Sequence, residues 1–203
     1  MKVALIGASG RVGSRILDEL LRRNHEVTGI VPHVEKLTAR RGLAIRQGDI
    51  NEEAGLSRTL AGHDAVISSV RFQVVKPIVL IRAVKQAGVK RLLVVGGAAS
   101  LEVKPGLQLL DAPDFPEGYK GEGMAGRDFL NHLREERELD WTFLSPSAEF
   151  VPGQRTGKFR LGKDQLLVEP NGESKISFED FAIALVEELE KPHHPQQRFT
   201  VGY

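Results

Sequence analysis

Short apolar runs alternate with amphipathic segments through the first half of the chain. Residues 3–6 are apolar throughout, which is typical of a strand buried on both faces of a parallel sheet. From Val12 to Arg23 the apolar residues recur at helical spacing and form one stripe. Repetition of these two patterns predicts further strands at 27–31, 43–46, 65–67 and 92–95, and helices near 35–40, 51–61 and 77–87. This βαβ order predicts an α/β fold, a Rossmann-type doubly wound parallel sheet with helices on both faces.

The second half of the chain is less regular. Two stretches, 98–118 and 145–157, show no clear period. Around them the pattern predicts helices at about 119–138 and 177–190, the second opened by a capping box, and strands at 141–144, 158–161, 166–168 and 198–201. Long irregular loops in a compact domain are usually functional. We therefore expect a single domain over 1–203, in which the part from about 145 to 203 adds a small C-terminal elaboration on the substrate side.

The segment Gly7-Ala8-Ser9-Gly10-Arg11-Val12-Gly13 joins the first predicted strand to the first helix. In a dinucleotide-binding turn, Gly7 would permit the sharp bend, Gly10 would let backbone amides approach a pyrophosphate, and Gly13 would let helix and strand pack closely. The free amides and the dipole of the helix start then hold the phosphates, and Ser9 can add a hydroxyl donor. The strand–turn–helix context supports this interpretation. A glycine-rich turn without a ligand is the alternative.

Three glycine-containing segments carry a resemblance to a known family. The Gly-x-x-Gly-x-x-Gly spacing, Gly48-Asp49-Ile50 after the third strand and Gly96-Gly97-Ala98-Ala99-Ser100 after the fifth resemble the atypical short-chain dehydrogenase/reductase group. More closely, the chain resembles the NmrA-like NAD(P)-binding proteins and, among them, the Rrf2-linked NADH-flavin reductases. The resemblance continues through 115–120, 139–146, 152–157 and 198–201, and so spans nearly the whole chain.

The resemblance implies a set of cofactor contacts outside the glycine turn. Asp49 and Ile50 would flank the adenine, although a helix-capping role is an alternative for Asp49. The remaining implied cofactor residues follow the fourth, fifth and later strands: Ser68, Ser69, Val70, Gly96, Gly97 and Pro146.

The end of the second strand selects between the two nicotinamide cofactors, since an acid there binds the ribose hydroxyls of NAD and a base accepts the 2′-phosphate of NADP. No acid stands at the strand end, and Pro32 stands where relatives often carry arginine. His33 and Lys36, helped by Arg11, could supply the positive charge, while a solvated loop is the alternative. We expect NADP, with NAD possible.

Carbonyl-reducing members of the wider superfamily use a Tyr-x-x-x-Lys pair on one helix together with a serine. Tyr119 and Ser100 are the candidate catalytic residues, but Gly123 stands where the lysine should be, and Lys120 points to another side of the helix. Hydride transfer to a flavin leaves delocalised charge and needs no such pair. A flavin or related conjugated acceptor is therefore the expected substrate.

The two irregular loops would form the walls of the acceptor site. Candidate contacts there are Tyr119, Pro146, Ser147, Phe150 and Arg155, for which local packing is the alternative. The resulting hypothesis is an NAD(P)H-dependent oxidoreductase. A non-catalytic, redox-sensing regulator is the first alternative. A protein like the sugar epimerases and dehydratases, which the segment 176–180 resembles, is the second.

Composition narrows the partners and the location. The 203 residues carry a net charge of +1 and include no cysteine, which argues against nucleic-acid binding and excludes thiolate metal sites. His193 and His194 have no further ligand at suitable spacing, so no metal is expected. No apolar run reaches about 18–20 residues and the start does not resemble a signal peptide. We expect a cytoplasmic monomer or homodimer that binds a small-molecule acceptor and no membrane.

Overall fold

The fold is described from a computed structural model that covers residues 1–203. Its strands are β1 Lys2–Ile6, β2 Glu26–Val31, β3 Leu43–Gln47, β4 Ala65–Ser68, β5 Arg91–Val95, β6 Glu102–Lys104, β7 Leu107–Gln108, β8 Asp140–Pro146, β9 Glu149–Val151, β10 Arg160–Gly162, β11 Lys175–Ser177 and β12 Gln197–Gly202. Its helices are α1 Gly13–Arg22, α2 Glu53–Leu60, α3 Pro77–Gln86, α4 Glu117–Glu135 and α5 Phe178–Glu190.

Eight strands form one sheet in the order β10-β12-β8-β5-β4-β1-β2-β3. Every neighbouring pair is parallel except β10 and β12, which are antiparallel. The chain therefore runs outward from β1 in one direction through β2 and β3, and in the other through β4, β5, β8 and β12. This confirms the predicted doubly wound sheet. It also places a switch point beside β1, where ligands bind outside the carboxyl ends of the strands.

Two apolar layers cover the sheet. On one face α1 and α5 pack through fully buried residues such as Ile16 and Phe181. On the other, α2, α3 and α4 contribute Leu60, Leu80 and Phe129. Helices on both faces explain why the central strands are apolar throughout instead of alternating.

The irregular stretches differ in detail from the sequence prediction. Residues 98–118 contain the short antiparallel pair β6–β7, and residues 145–157 contain β9, which pairs with β11. The helix expected at 35–40 is only a 3₁₀ turn at Val34–Lys36, and residues 166–168 form no strand. No helix combines the length and apolar character that a membrane span needs.

Candidate functional site

The glycine turn brings the ends of β1, α1 and β4 into close contact. Gly7 has φ +82°, a left-handed conformation that favours glycine, and a Cβ atom there would overlap the carbonyl oxygen of Ser69. A Cβ atom on Gly13 would overlap the carbonyl oxygen of Gly7. Gly10 is less restricted, since its Cβ atom would lie 3.1 Å from that same oxygen. Packing thus requires Gly7 and Gly13, whereas the absence of a side chain at Gly10 leaves the turn open.

Unpaired backbone amides line this turn. Helix α1 begins at Gly13, and Val12 before it provides no side-chain cap. The N–H groups of Arg11, Val12 and Gly13 donate no hydrogen bond within the protein. Free amides at the positive end of a helix are a phosphate site. The turn therefore fits the pyrophosphate of a dinucleotide, with the geometry that its spacing predicts.

The loop after β2 carries the exposed cations expected to select the cofactor. The Nδ1 atom of His33 lies 3.5 Å from the carboxylate of Glu35, and Lys36 forms no ion pair. The guanidinium of Arg11 lies 5.2 Å from the ring centre of Phe178 at the start of α5. A contribution of Arg11 to the charge around His33 and Lys36 stays a prediction.

The residues after β3 and β4 take different positions in the structure. Asp49 accepts a hydrogen bond from the N–H of Asn51 at 2.8 Å. It therefore stabilises the turn before α2, a role similar to the helix capping that was the alternative for this residue. Ile50 is buried in the core under α2 and α3 and exposes only 7% of its surface. The segment 68–70 lies against Gly7, where the N–H of Ser69 donates to the carbonyl of Ile6 at 2.9 Å.

A cavity of about 390 Å³ lies along the same edge of the sheet. Segments that follow the carboxyl ends of β5 and β8 line it, together with the first turns of α4. The predicted residues that the structure brings together there are Gly96, Gly97, Ser100, Tyr119, Pro146, Ser147 and Phe150. Cofactor turn and cavity thus share the edge at which such folds bind ligands.

Tyr119 occupies the rim of the cavity on the first turn of α4. Its side chain is 68% exposed. One turn further, a Cβ atom on Gly123 would lie 3.0 Å from both the Cβ atom of Ala99 and a methyl group of Leu110. The loop after β5 therefore packs directly on α4 where a Tyr-x-x-x-Lys pair would place its lysine. A side chain at Gly123 would therefore be crowded.

Ser100 is almost fully buried in the cavity wall. Its hydroxyl oxygen accepts a hydrogen bond from Nη1 of Arg198 at 3.3 Å. The Nε atom of Arg198 donates to the carboxylate of Asp164 at 2.8 Å, which orients the guanidinium. Burial lowers the pKa of Arg198, and the Asp164 carboxylate opposes that shift. The serine is thus fixed by a buried cation, and its hydroxyl hydrogen remains free to donate.

Two charged residues of the cavity were missed by the sequence analysis. The carboxylate of Glu122 accepts the N–H groups of Phe72 at 2.7 Å and Gln73 at 3.2 Å. Arg127 donates to the carboxylate of Asp111 at 2.9 Å. Both side chains line the cavity. Helical spacing from Tyr119 was the available signal, because residues three and four apart share a helix face.

Arg155 does not line the cavity, which corrects its assignment as an acceptor contact. Its guanidinium donates two hydrogen bonds to Glu19 of α1, at 3.0 and 3.2 Å. Glu19 exposes only 4% of its surface and also accepts from Arg22 and Arg23. Burial by itself raises the pKa of Glu19, but hydrogen bonds from the three arginines outweigh it and lower the pKa to about 2. Arg155 is therefore part of the scaffold.

The loop that carries Arg155 is also tied to the start of α5. Ser177 caps this helix by accepting the N–H of Asp180 at 3.0 Å, as the capping box predicts. The carboxylate of Asp180 in turn accepts the N–H groups of Thr156 and Gly157 at 2.7 and 2.8 Å. These contacts orient the 152–157 segment toward α1 and α5 and away from the cavity.

Comparison with known proteins agrees with this geometry. A family model described as NAD(P)H-binding matches residues 7–192. The chain belongs to this NAD(P)H-binding family, whose features here are those of the atypical short-chain dehydrogenase/reductase type. "Uncharacterized protein YwnB" of Bacillus subtilis (strain 168) is 40% identical over 211 residues, which cover 99% of this chain and 98% of YwnB.

Two solved structures are similar over the whole chain. A protein of Bacteroides thetaiotaomicron named a "putative epimerase" is 45% identical with a TM-score of 0.95, and the match covers 100% of this chain and 96% of that one. A "putative NADH-flavin reductase" of Streptococcus pneumoniae TIGR4 is 36% identical with a TM-score of 0.84, over 100% and 99% of the two chains. Because these names describe different chemistries, the reaction of this NAD(P)H-binding protein has to be argued from its own cavity.

Proposed function

We propose that this protein is an oxidoreductase that transfers hydride from NADPH to a conjugated acceptor, such as a flavin, bound in the cavity at the carboxyl edge of the sheet. When bound, the reduced nicotinamide supplies the hydride. The acceptor gains that hydride and one proton from solvent, and NADP⁺ is released. The amides at 11–13 would hold the pyrophosphate, and the cavity would exclude water from the acceptor ring.

The observation that carries the proposal is the packing of Gly123 against Ala99 and Leu110. A simple ketone becomes an alkoxide on reduction and needs a positioned proton donor. Glycine stands four residues after Tyr119, at a position where a side chain would be crowded, so the usual donor assembly is absent. A conjugated acceptor spreads the incoming charge over its ring system and can take its proton from water. The same absence counts against an epimerase, which relies on the same pair.

NADPH is proposed as the cofactor because of the loop after β2. No acidic side chain stands directly at the end of β2, and both His33 and Lys36 are exposed in the following loop, where Glu35 lies beside His33. Lys36, which forms no ion pair, would offer positive charge to a 2′-phosphate, whereas the ribose hydroxyls of NADH would find no carboxylate at the strand end itself.

The test is an anaerobic assay in which purified protein and NADPH are mixed with a flavin, a quinone or a simple ketone. With flavin and quinone, we expect the reduced-nicotinamide absorbance to fall only when the acceptor is present, with one acceptor molecule reduced for each NADPH oxidised. With ketones, we expect no loss of this absorbance. Ketone reduction would refute the argument from Gly123. Tight NADPH binding without oxidation by any acceptor would instead support a redox-sensing regulator.

A matched pair of glycine variants checks the cofactor placement. Gly10→Val would project a side chain over the amides of the turn and should abolish NADPH binding in a folded protein, as followed by circular dichroism and nucleotide fluorescence. Gly118→Val is the control, because nothing lies within 4 Å of a Cβ atom built there. Retained NADPH affinity in Gly10→Val would place the phosphates elsewhere.

A further inference from the structure

The charges around the acceptor cavity are unevenly compensated. Among the residues that line it, only Glu122 and Arg127 carry charge. Nη1 of Arg127 lies 3.0 and 2.9 Å from the two carboxylate oxygens of Asp111, so this cation already has a close ionic partner. The cavity therefore offers no free cation to an incoming anion.

Glu122 has no comparable ionic partner. Its carboxylate is held by the backbone N–H groups of Phe72 and Gln73, which fix its position without cancelling its charge. The nearest cation is Arg71, whose Nε atom is 3.7 Å away and whose side chain is 73% exposed. An exposed pair at this distance contributes little. The Glu122 carboxylate is thus the more weakly compensated of the two charges in the cavity wall.

The rest of the wall suits a flat apolar ring. Phe72, Phe115 and Phe150 line the cavity, and glycine or alanine occupies every position from 96 to 99. Aromatic side chains stack on planar conjugated rings. Coulomb interactions are stronger beside such low-dielectric walls than in water, so the charge of Glu122 acts on whatever enters.

We infer that the acceptor is an uncharged planar conjugated molecule, and that Glu122 discriminates against anionic acceptors. The inference rests on the proposed function and adds the substrate class to it. A neutral quinone and phosphate-free riboflavin share this chemistry, whereas FMN carries a phosphate that the weakly compensated Glu122 carboxylate would repel, over a screening length of about 10 Å at 0.1 M salt.

The experiment uses two acceptor pairs that differ by one anionic group: riboflavin with FMN, and a naphthoquinone with its sulfonate. Anaerobic kcat/KM values with NADPH are measured for each at low ionic strength. For the wild-type protein we expect the neutral member to be preferred about tenfold, and the preference to shrink as salt is added. A preference for the anionic members, or a ratio that salt does not change, would overturn the inference. An FMN preference would point instead to Arg71 as a phosphate contact.

Glu122→Gln isolates the charge, since its amide oxygen can still accept a hydrogen bond from the backbone. Each protein is described by the ratio of kcat/KM for the neutral acceptor to kcat/KM for the anionic one. Differences in the intrinsic reactivity of the acceptors cancel when this ratio is compared between the variant and the wild type. We expect the neutral-to-anionic ratio to fall at least about threefold while the Kd for NADPH stays the same. Glu117→Gln is the matched control on the same helix, because Glu117 is exposed, pairs with Lys120 and does not line the cavity.

The two proposals fail in different ways. If no acceptor oxidises NADPH, the proposed function is wrong. If acceptors are reduced but Glu122→Gln leaves the ratio unchanged, or if Glu117→Gln changes it as much, only the assignment of Glu122 is wrong. Should Glu122→Gln not fold, the salt dependence of the wild-type ratio still decides.

Discussion

The two halves of the carboxyl edge are built in different ways. The pyrophosphate site of the cofactor half is one continuous segment of seven residues, in which backbone amides would bind the ligand and glycines make the space. The acceptor half gathers side chains from four distant parts of the chain, after β4, after β5, on α4 and after β8. Backbone recognition leaves a local pattern in the sequence. Recognition by assembled side chains does not, so the cavity had to be seen in the structure.

The largest expected effect concerns the packing of the cofactor half. In Gly13→Ala the added methyl would overlap the backbone oxygen of Gly7, which cannot move aside without disturbing β1. We expect a loss of about 3 kcal/mol in the free energy of unfolding, measured by urea denaturation. Gly118→Ala, in open space on α4, should be neutral or slightly stabilising. If both variants behave alike, the turn is not held by close packing.

The sequence could predict what local periodicity and backbone chemistry determine. The sheet, its parallel order, the glycine turn and the Ser177 cap follow from patterns within a few residues. The sequence could not predict which side chains contact each other when they are far apart in the chain. Arg155 belongs to a promising loop, yet it binds Glu19, 136 positions away, because the 152–157 segment is held against α1 and α5.

The pH dependence of stability tests whether the three arginines around Glu19, Arg155 among them, stabilise the scaffold. The pKa of Glu19 is about 2 in the folded protein against an ordinary 4.5. A carboxylate whose pKa is lower in the folded protein than in the unfolded chain stabilises the fold fully at pH values above its unfolded-state pKa. This stabilisation is lost as the pH falls from about 4.5 to 2. This contribution should be about 2–3 kcal/mol.

The difference between wild type and Glu19→Gln isolates this contribution from other titrating carboxylates. Denaturation curves between pH 6 and 2 should show the two proteins converging as the pH falls. Glu26→Gln, an exposed carboxylate without an ion pair, serves as the control and should run parallel to wild type. A constant gap between wild type and Glu19→Gln would mean that the arginines do not stabilise the ionised form.

In the acceptor half the decisive glycine should be less costly to replace. A methyl group at Gly123 would lie 3.0 Å from Ala99 and Leu110, a crowding of side chains that can partly relax. Higher helix propensity offsets part of the cost, so we expect Gly123→Ala to lose about 1–2 kcal/mol. Gly123→Lys should fold less well and gain no ketone reduction. Efficient ketone reduction by Gly123→Lys would show that only the lysine was missing and that packing is not the constraint.

The smallest expected effect concerns the loop after β2, where side chains of the cofactor half would bind the ligand. Lys36 is exposed and unpaired, so its attraction for a 2′-phosphate is screened by water and salt. Lys36→Ala should raise the Kd for NADPH about three- to fivefold at low salt, which corresponds to about 1 kcal/mol, and leave the Kd for NADH unchanged. Lys90→Ala, equally exposed at the amino end of β5, should change neither value. Equal losses for both cofactors in Lys36→Ala would show that the lysine attracts the whole dinucleotide, and the basis of NADPH selection would then have to lie with His33 or in the backbone of the loop.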